Sequence, residues 1–329
     1  MTEPVVTVHQ VTKTFDVRPL PNHPGEWVPY LLGRRRERVE ALRGISFALY
    51  PGELVALLGP NGAGKTTTLR LLAGILHPDR GDIRVLGYRP HRRDRAFLRQ
   101  IGLVMAQQSQ LLWDLRPVDT YELHRVAYGI DRNAYQQRLA VLSDTLGVRD
   151  LVFRRVRELS LGQRMRCELL MQLLHRPRVL FLDEPTHGLD FAAQQAIRQF
   201  LPAFARDEGV TVLITSHNVD DILMCDRVLV MGSGTLVFAG TVGELLDGMT
   251  HHVTIRVRFE GEPEPVPRLP DGPIERNADG VWRVRASRHR VPEVVRTLLA
   301  AGHVTDLSIE RPAASELVAD LYRRLEPTR

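Results

Sequence analysis

Apolar residues in this chain gather into short unbroken runs as often as they alternate. Leu54 to Leu58, residues 179–182 and residues 210–215 are apolar, or nearly so, on both faces of an extended chain, which is the pattern of strands buried inside a parallel sheet. Each run ends in residues of another kind: Gly59 after the first, Asp183 and Glu184 after the second, Ser216 and His217 after the third. Residues 101–105 read as a further strand ending at Gln107. Alternation appears at residues 5–11, followed by Phe15, again at 45–49 before a Pro51–Gly52 turn, and briefly at 83–86. Residues 227–239 predict a hairpin turning at Gly232, Ser233 and Gly234.

Helical spacing fills the intervals. Residues 68–73 predict one helix, 118–146 two or three, and the stretch from Leu159 another that runs through Met165, Leu169, Leu170 and Leu173. A helix is expected from Phe191, with Pro202 kinking or ending it. The basic run 89–99 is expected to be a solvated helix. Residues from about 17 to 40 hold Pro19, Pro21, Pro24 and Pro29, which exclude a helix interior or a central strand, so this segment reads as an inserted loop ending in the basic cluster at 34–38.

The last part differs in texture. Residues 252–259 alternate as a strand, a proline-rich connection follows, and 274–286 predict a hairpin turning around Asn277 to Gly280. A helix over 291–301, a strand over 304–309 and a helix over 314–325 complete a small α+β unit, ferredoxin-like in order. The chain is therefore expected to comprise a domain at 1–248 and an accessory α+β domain at 249–329.

Composition changes this picture little. At 329 residues there is room for two cores. Hydrophobic residues at 43% and charged ones at 25% are those of an ordinary globular protein. Cys167 and Cys225 make neither a disulfide framework nor a metal-ligand cluster. Met1 to Pro4 has no signal-peptide character, and no apolar run approaches the roughly 18 residues of a membrane span. A net charge of +5, mostly arginine, suits nucleic acid or anionic lipid as well as a scattered solvated surface. No zinc-finger, basic-zipper or RNA-recognition pattern accompanies it.

The chemistry starts at Gly59, Pro60, Asn61, Gly62, Ala63, Gly64, Lys65, Thr66 and Thr67, between a buried strand and a helix. This is the phosphate-binding loop pattern. Glycines let the backbone N–H groups wrap a polyphosphate, the following helix adds its positive dipole end, Lys65 reaches the β- and γ-phosphates, and the Thr66 hydroxyl joins a Mg²⁺ shell. Asp183 and Glu184 end the second buried strand and His217 follows the third, at the strand ends where ligands sit in a parallel α/β sheet.

With these motifs in this order, the chain resembles the nucleotide-binding subunit of ABC transporters over residues 4–245, most closely the ABC-2-type exporter ATPases. Gln107 matches the Q-loop, residues 159–163 the signature, 179–186 Walker B, residues 188–190 the D-loop and His217 the switch histidine. The resemblance implies an α/β fold: a RecA-like core, an antiparallel β subdomain and a helical signature subdomain. It implies ATP and Mg²⁺ as ligands, with Asp183, Thr66 and Gln107 at the metal and Glu184, His217 and Gln107 in catalysis. Ser160, Gly162 and Gln163, with Asp190, would meet the ATP held by a second, identical subunit, although a serine at 160 is locally as good as a helix cap. Phe15 is the expected adenine-stacking aromatic, with Trp27 and Tyr30 as alternatives. Leu161 stands where the family's commonest signature has glycine, and His187 where a small residue is usual.

The expected function is an ATP-hydrolysing motor that dimerises head to tail and drives a separate transmembrane permease, for export, from the cytoplasmic face of the membrane. No nucleic-acid partner is expected. The alternative is a soluble ABC ATPase acting on ribosomes or nucleic acid, a class that usually carries two nucleotide domains or a long coiled coil. A non-hydrolysing switch is disfavoured by Glu184. The accessory domain is expected to steady the dimer, the alternative being that it senses a ligand.

Overall fold

The computed structural model describes residues 3–17, 37–105, 108–249, 252–261, 275–277, 280–310 and 321. In chain order the strands and helices are β1 (Val6–Val17), β2 (Glu37–Leu49), β3 (Leu54–Leu58), α1 (Lys65–Leu72), β4 (Arg80–Val85), α2 (Arg95–Leu98), β5 (Ile101–Met105), α3 (Pro117–Tyr128), α4 (Arg132–Thr145) and α5 (Leu161–Leu173). There follow β6 (Val179–Asp183), α6 (Phe191–Glu208), β7 (Thr211–Ser216), α7 (Val219–Leu223), β8 (Arg227–Gly232), β9 (Thr235–Thr241) and α8 (Val242–Met249). The last are β10 (His252–Phe259), β11 (Glu275–Arg276), β12 (Trp282–Ser287), α9 (Val291–Ala300) and β13 (Val304–Glu310). The backbone divides into two units, Met1–Val242 and Gly243–Arg324.

The unbroken apolar runs become the centre of the first unit. A six-stranded sheet has the order β5-β6-β7-β3-β8-β9 and is parallel except for its last pair. Every residue of β3, β6 and β7 is buried, because helices cover both faces. A second, antiparallel sheet of order β2-β1-β4 carries the alternating segments, and its inner residues Val6, Val8, Leu42, Ile45 and Leu49 share one core with Leu57, Leu69, Phe181 and Leu229. Arg227 to Thr241 forms the expected hairpin, with Ser233 (φ 47°) and Gly234 (φ 81°) both left-handed at its turn.

Some expectations need correction. The loop expected over about 17–40 is shorter at its ends: Glu37, Arg38, Val39 and Glu40 are strand and pair with Val17, Asp16, Phe15 and Thr14. After the register shift between Lys13 and Thr14 the two strands run on in step as far as Val17 and Glu37. Trp27, Tyr30 and Arg34 to Arg36 lie outside the described residues. The run 89–99 is not one helix but a 3₁₀ turn at Pro90–Arg92 and the single turn α2. The break is at Arg93, which is left-handed (φ 51°) and donates its guanidinium to the Gly74 carbonyl at 3.2 Å. Pro202 does not end α6, which continues to Glu208. Ile197, Leu201, Phe204 and Ala205 line one buried stripe through that point, and their packing outweighs the missing N–H.

In the second unit β11-β12-β10-β13 form an antiparallel sheet with α9 packed against it. Its core is Val253, Ile255, Val257, Val284, Ala286, Val294 and Leu298. The helix expected over 314–325 lies almost wholly outside the described residues. Among the described residues no helix is long and apolar enough to cross a membrane.

Candidate active site

The C-terminal ends of β3, β6 and β7 lie side by side, because β6-β7-β3 are consecutive parallel neighbours in the sheet. The loop 59–64 leaves β3 there and enters α1. Two of its glycines are sterically required. A Cβ on Gly59 (φ 152°) would sit 2.5 Å from the Met231 carbonyl, and one on Gly64 (φ 104°) 2.7 Å from the Ala41 carbonyl. Gly64 caps α1 without a side chain, and no acidic residue occupies its first turn, so the helix start is left to an external anion.

Lys65 is buried, and its ammonium donates to the carbonyls of Gly59 at 2.6 Å and Pro60 at 3.1 Å. Burial pulls its pKa below the usual lysine range, while the charges of Glu184 and Asp183 oppose that shift. The Thr66 hydroxyl faces Asp183 at 3.2 Å from both carboxylate oxygens. Asp183 also accepts from the Thr215 hydroxyl at 2.7 Å, so two hydroxyls fix a buried carboxylate. Hydroxyl and carboxylate oxygens are hard donors, the set that suits Mg²⁺.

Glu184 follows Asp183 in sequence but not in direction. Its backbone is left-handed (φ 49°), a conformation non-glycine residues hold only when neighbours enforce it. Thr215 enforces it, its hydroxyl accepting from the Glu184 N–H at 2.9 Å. The turn sends the Glu184 carboxylate toward two histidines: His217 Nδ1 at 3.5 Å and His187 Nδ1 at 3.7 Å.

One residue that sequence reasoning missed organises this turn. Asp221 is fully buried on α7 and accepts from the hydroxyls of Thr186 and Ser216 (2.6 Å from Ser216) and from Arg198 Nε at 2.7 Å. It therefore ties the turn after β6, the end of β7 just before His217, and α6. Its only sequence signal, an acid three residues after the helix cap Asn218, reads as a solvent-facing first-turn carboxylate.

Ser160 caps α5 in a reciprocal box with Gln163: its hydroxyl accepts from the Gln163 N–H at 3.3 Å, and its own N–H donates to Gln163 Oε1 at 3.0 Å. The cap reading of Ser160 is thus satisfied locally, and neither side chain's bond reaches the phosphate loop. Gly162 packs on the start of α6, where a Cβ would lie 2.5 Å from that of Ala193. Asp190 caps α6 through the Ala193 N–H at 2.8 Å. Phe15 stands on β1 opposite Val39, with the Lys13 ammonium 5.6 Å from its ring centre, and is not among the groups gathered around Asp183. Gln107 lies outside the described residues. Just beyond it, Gln110 donates to the Leu103 carbonyl at 2.7 Å and accepts from buried Gln172 of α5 at 2.9 Å.

A family described as ABC transporter matches residues 42–187. The chain is 31% identical over 214 residues to the ABC transporter ATP-binding protein NatA of Bacillus subtilis, covering 65% of this chain and 87% of that one. It is 33% identical over 201 residues to the probable multidrug ABC transporter ATP-binding protein YbhF of Escherichia coli, covering 61% of this chain and 34% of YbhF. Among solved structures, cbiO1 from Clostridium perfringens, described as part of the ABC transporter complex cbiONQ, matches with a TM-score of 0.60 at 26% identity, over 75% of this chain and 94% of that one. A dimeric post-hydrolysis form of the cassette MJ0796, bound to ADP and Pi, has the same fold, with a TM-score of 0.60 at 22% identity over 72% of this chain and 98% of that one.

Proposed function

The chain belongs to the family of ABC transporter ATP-binding proteins and is an ATPase that takes ATP with Mg²⁺, and from that premise we propose that it is the motor of an exporter. Two copies close head to tail around two ATP molecules and drive a separate transmembrane permease from the cytoplasmic face of the cell membrane. The observation that carries this reading is the split between adjacent carboxylates. Asp183 faces Thr66, while the left-handed turn sends Glu184 to His217.

Asp183 and Thr66 would hold Mg²⁺, with Gln107 as a further ligand; the ion supplies charge neutralisation on the phosphate oxygens. The loop from Gly59 to Thr67 binds the phosphates, and Lys65 places its ammonium against the β- and γ-phosphates. Glu184 takes the proton from the water that attacks the γ-phosphorus, and His217 donates to a γ-phosphate oxygen. Phe15 stacks on the adenine.

Ser160, Gly162, Gln163 and Asp190 contact the nucleotide of the other copy. In support, the Ser160 box lies at a helix start, an anion-binding geometry, and its side-chain bonds go to its own helix rather than to the loop of the same chain. The dimeric cassette MJ0796 and cbiO1, part of a transporter complex, support pairing and a permease partner. Export is supported by the description of YbhF as a multidrug protein. The domain at 249–329 steadies the dimer.

Pull-down from detergent-solubilised membranes tests the proposal, with ATPase assayed beside Glu184→Gln. Co-purification of a polytopic membrane protein, with hydrolysis lost in the variant, supports it. Recovery with ribosomes or nucleic acid and no membrane partner would replace it with the soluble alternative.

A further inference from the structure

His187 has no part in the scheme above, yet its imidazole is held beside Glu184 and His217. One ligand atom from each of the three residues lies within 4.8 Å of the others. The geometry points to a second metal site here: Glu184, His187 and His217 bind a divalent transition-metal ion, Zn²⁺ above all, and in doing so take the hydrolytic groups out of use.

Three observations carry this. The first is spacing. Ligands 2.0–2.1 Å from a tetrahedral ion stand about 3.3 Å from one another. One Glu184 carboxylate oxygen lies 3.5 Å from His217 Nδ1 and the other 3.7 Å from His187 Nδ1, and one atom from each of the three residues falls within 4.8 Å of the others, so closure around an ion draws the set together by about 1.5 Å at its widest. The rings stand edge to face with centres 5.1 Å apart, which leaves their nitrogens free to converge.

The second is preorganisation. Glu184 is fixed by Thr215, and the His187 N–H donates to the Glu184 carbonyl at 3.1 Å, closing a turn that sets both side chains on one side. Asp221 secures the flanking Thr186 and Ser216, so His217 arrives from a braced strand end. The third is access and chemistry. The imidazoles are 59% and 47% exposed, open to an entering ion and to a water as fourth ligand. Two imidazoles and one carboxylate suit Zn²⁺ and reject Mg²⁺, which keeps oxygen ligands such as Thr66 and Asp183.

The inhibitory consequence rests on the roles given above to Glu184 and His217; the binding site does not. His187 is the distinguishing ligand, and because it is exposed its removal spares the fold. Titration calorimetry of Zn²⁺ into the nucleotide-free full chain tests the site directly. His187→Ala is expected to weaken binding at least about tenfold and to abolish the visible absorption of tetrahedral Co²⁺ bound in place of Zn²⁺. In chelator-treated buffer the same variant keeps its Mg-dependent ATPase, and added Zn²⁺ inhibits the wild-type chain at concentrations that spare the variant. Equal Zn²⁺ affinity in the two chains overturns the inference. His187-dependent binding without any effect on hydrolysis upholds the site and overturns the roles of Glu184 and His217.

Discussion

Thr66 Oγ1 stands 3.2 Å from each carboxylate oxygen of Asp183, while the next residue, Glu184, turns away to His217. Adjacent carboxylates serving two sites need a backbone that reverses between them. The left-handed Glu184 provides it. Glu184→Gln is expected to keep ATP binding and lose roughly 10²–10⁴ in turnover, the usual worth of a general base. Asp183→Asn is expected to weaken Mg²⁺ dependence as well. Steady-state hydrolysis beside equilibrium nucleotide binding separates the two outcomes; equal loss of binding in both variants would contradict the division of labour.

Gly162 has no room for a methyl group. Its Cβ would meet that of Ala193 at 2.5 Å. Gly162→Ala should destabilise the first unit by about 1–3 kcal/mol through overpacking, read from urea midpoints. Ala193→Gly in the same chain should recover part of that loss, since the clash involves one pair of atoms. Additive effects in the double variant would show that the two residues do not meet.

Asp221 neutralises buried Arg198 and holds Thr186 and Ser216 in place. Replacing it with alanine leaves Arg198 only its 3.2 Å bond to the exposed carboxylate of Asp220 and strips the Thr186 and Ser216 hydroxyls of their acceptor, and is expected to cost about 3–5 kcal/mol. Asp221→Asn, which keeps the shape, should fold and show reduced turnover because His217 loses its brace. Unfolding curves and ATPase rates on the two variants check this. Wild-type turnover in the folded asparagine variant would limit Asp221 to a structural role.

His124 and His175 form a buried pair away from the phosphate loop. His175 Nε2 donates to the Ile101 carbonyl at 2.9 Å, so its Nδ1 accepts from His124 Nε2 at 3.0 Å, and both rings are neutral. Burial, helped by the partner's charge, lowers the His124 pKa from 6.5 to about 3, and burial lowers that of His175 to about 4. A folded state that resists protonation loses stability as the unfolded chain gains protons. The pair's contribution is therefore complete above pH 6.5 and is lost progressively toward pH 4 and below. Unfolding midpoints should fall between about pH 7 and about pH 5, and less so with His124→Asn and His175→Asn together. An identical acid limb in that variant would place the sensitivity elsewhere.

What the sequence made legible follows from how local each signal is. The phosphate loop, the Asp183–Glu184 pair and His217 each end an unbroken apolar run, and such runs lie next to one another in a parallel sheet. Their convergence is written in the pattern of those runs. The place of Asp221 is not, because its partners come from α6, β7 and the turn after β6, and its own spacing mimics an exposed cap. The run 89–99 misled for a related reason. Its arginines fit a solvated helix, but Pro90 packs so tightly on Gly74 that a Cβ there would stand 2.1 Å from the Pro90 carbonyl, and the chain turns at Arg93 instead. His187 was visible only as an unexplained substitution, since its meaning depends on a neighbour thirty residues away in the chain, at the end of another strand.

Gln172 is anchored twice: its Oε1 accepts from the Leu103 N–H at 3.2 Å and its Nε2 donates to Gln110 at 2.9 Å. Helix α5, capped by Ser160, is thus stitched to the chain on both sides of residue 107. One amide closes a span of the chain between Leu103 and Gln110 onto a single point of α5, so Gln172→Leu would leave both the Leu103 N–H and the Gln110 carboxamide without that partner.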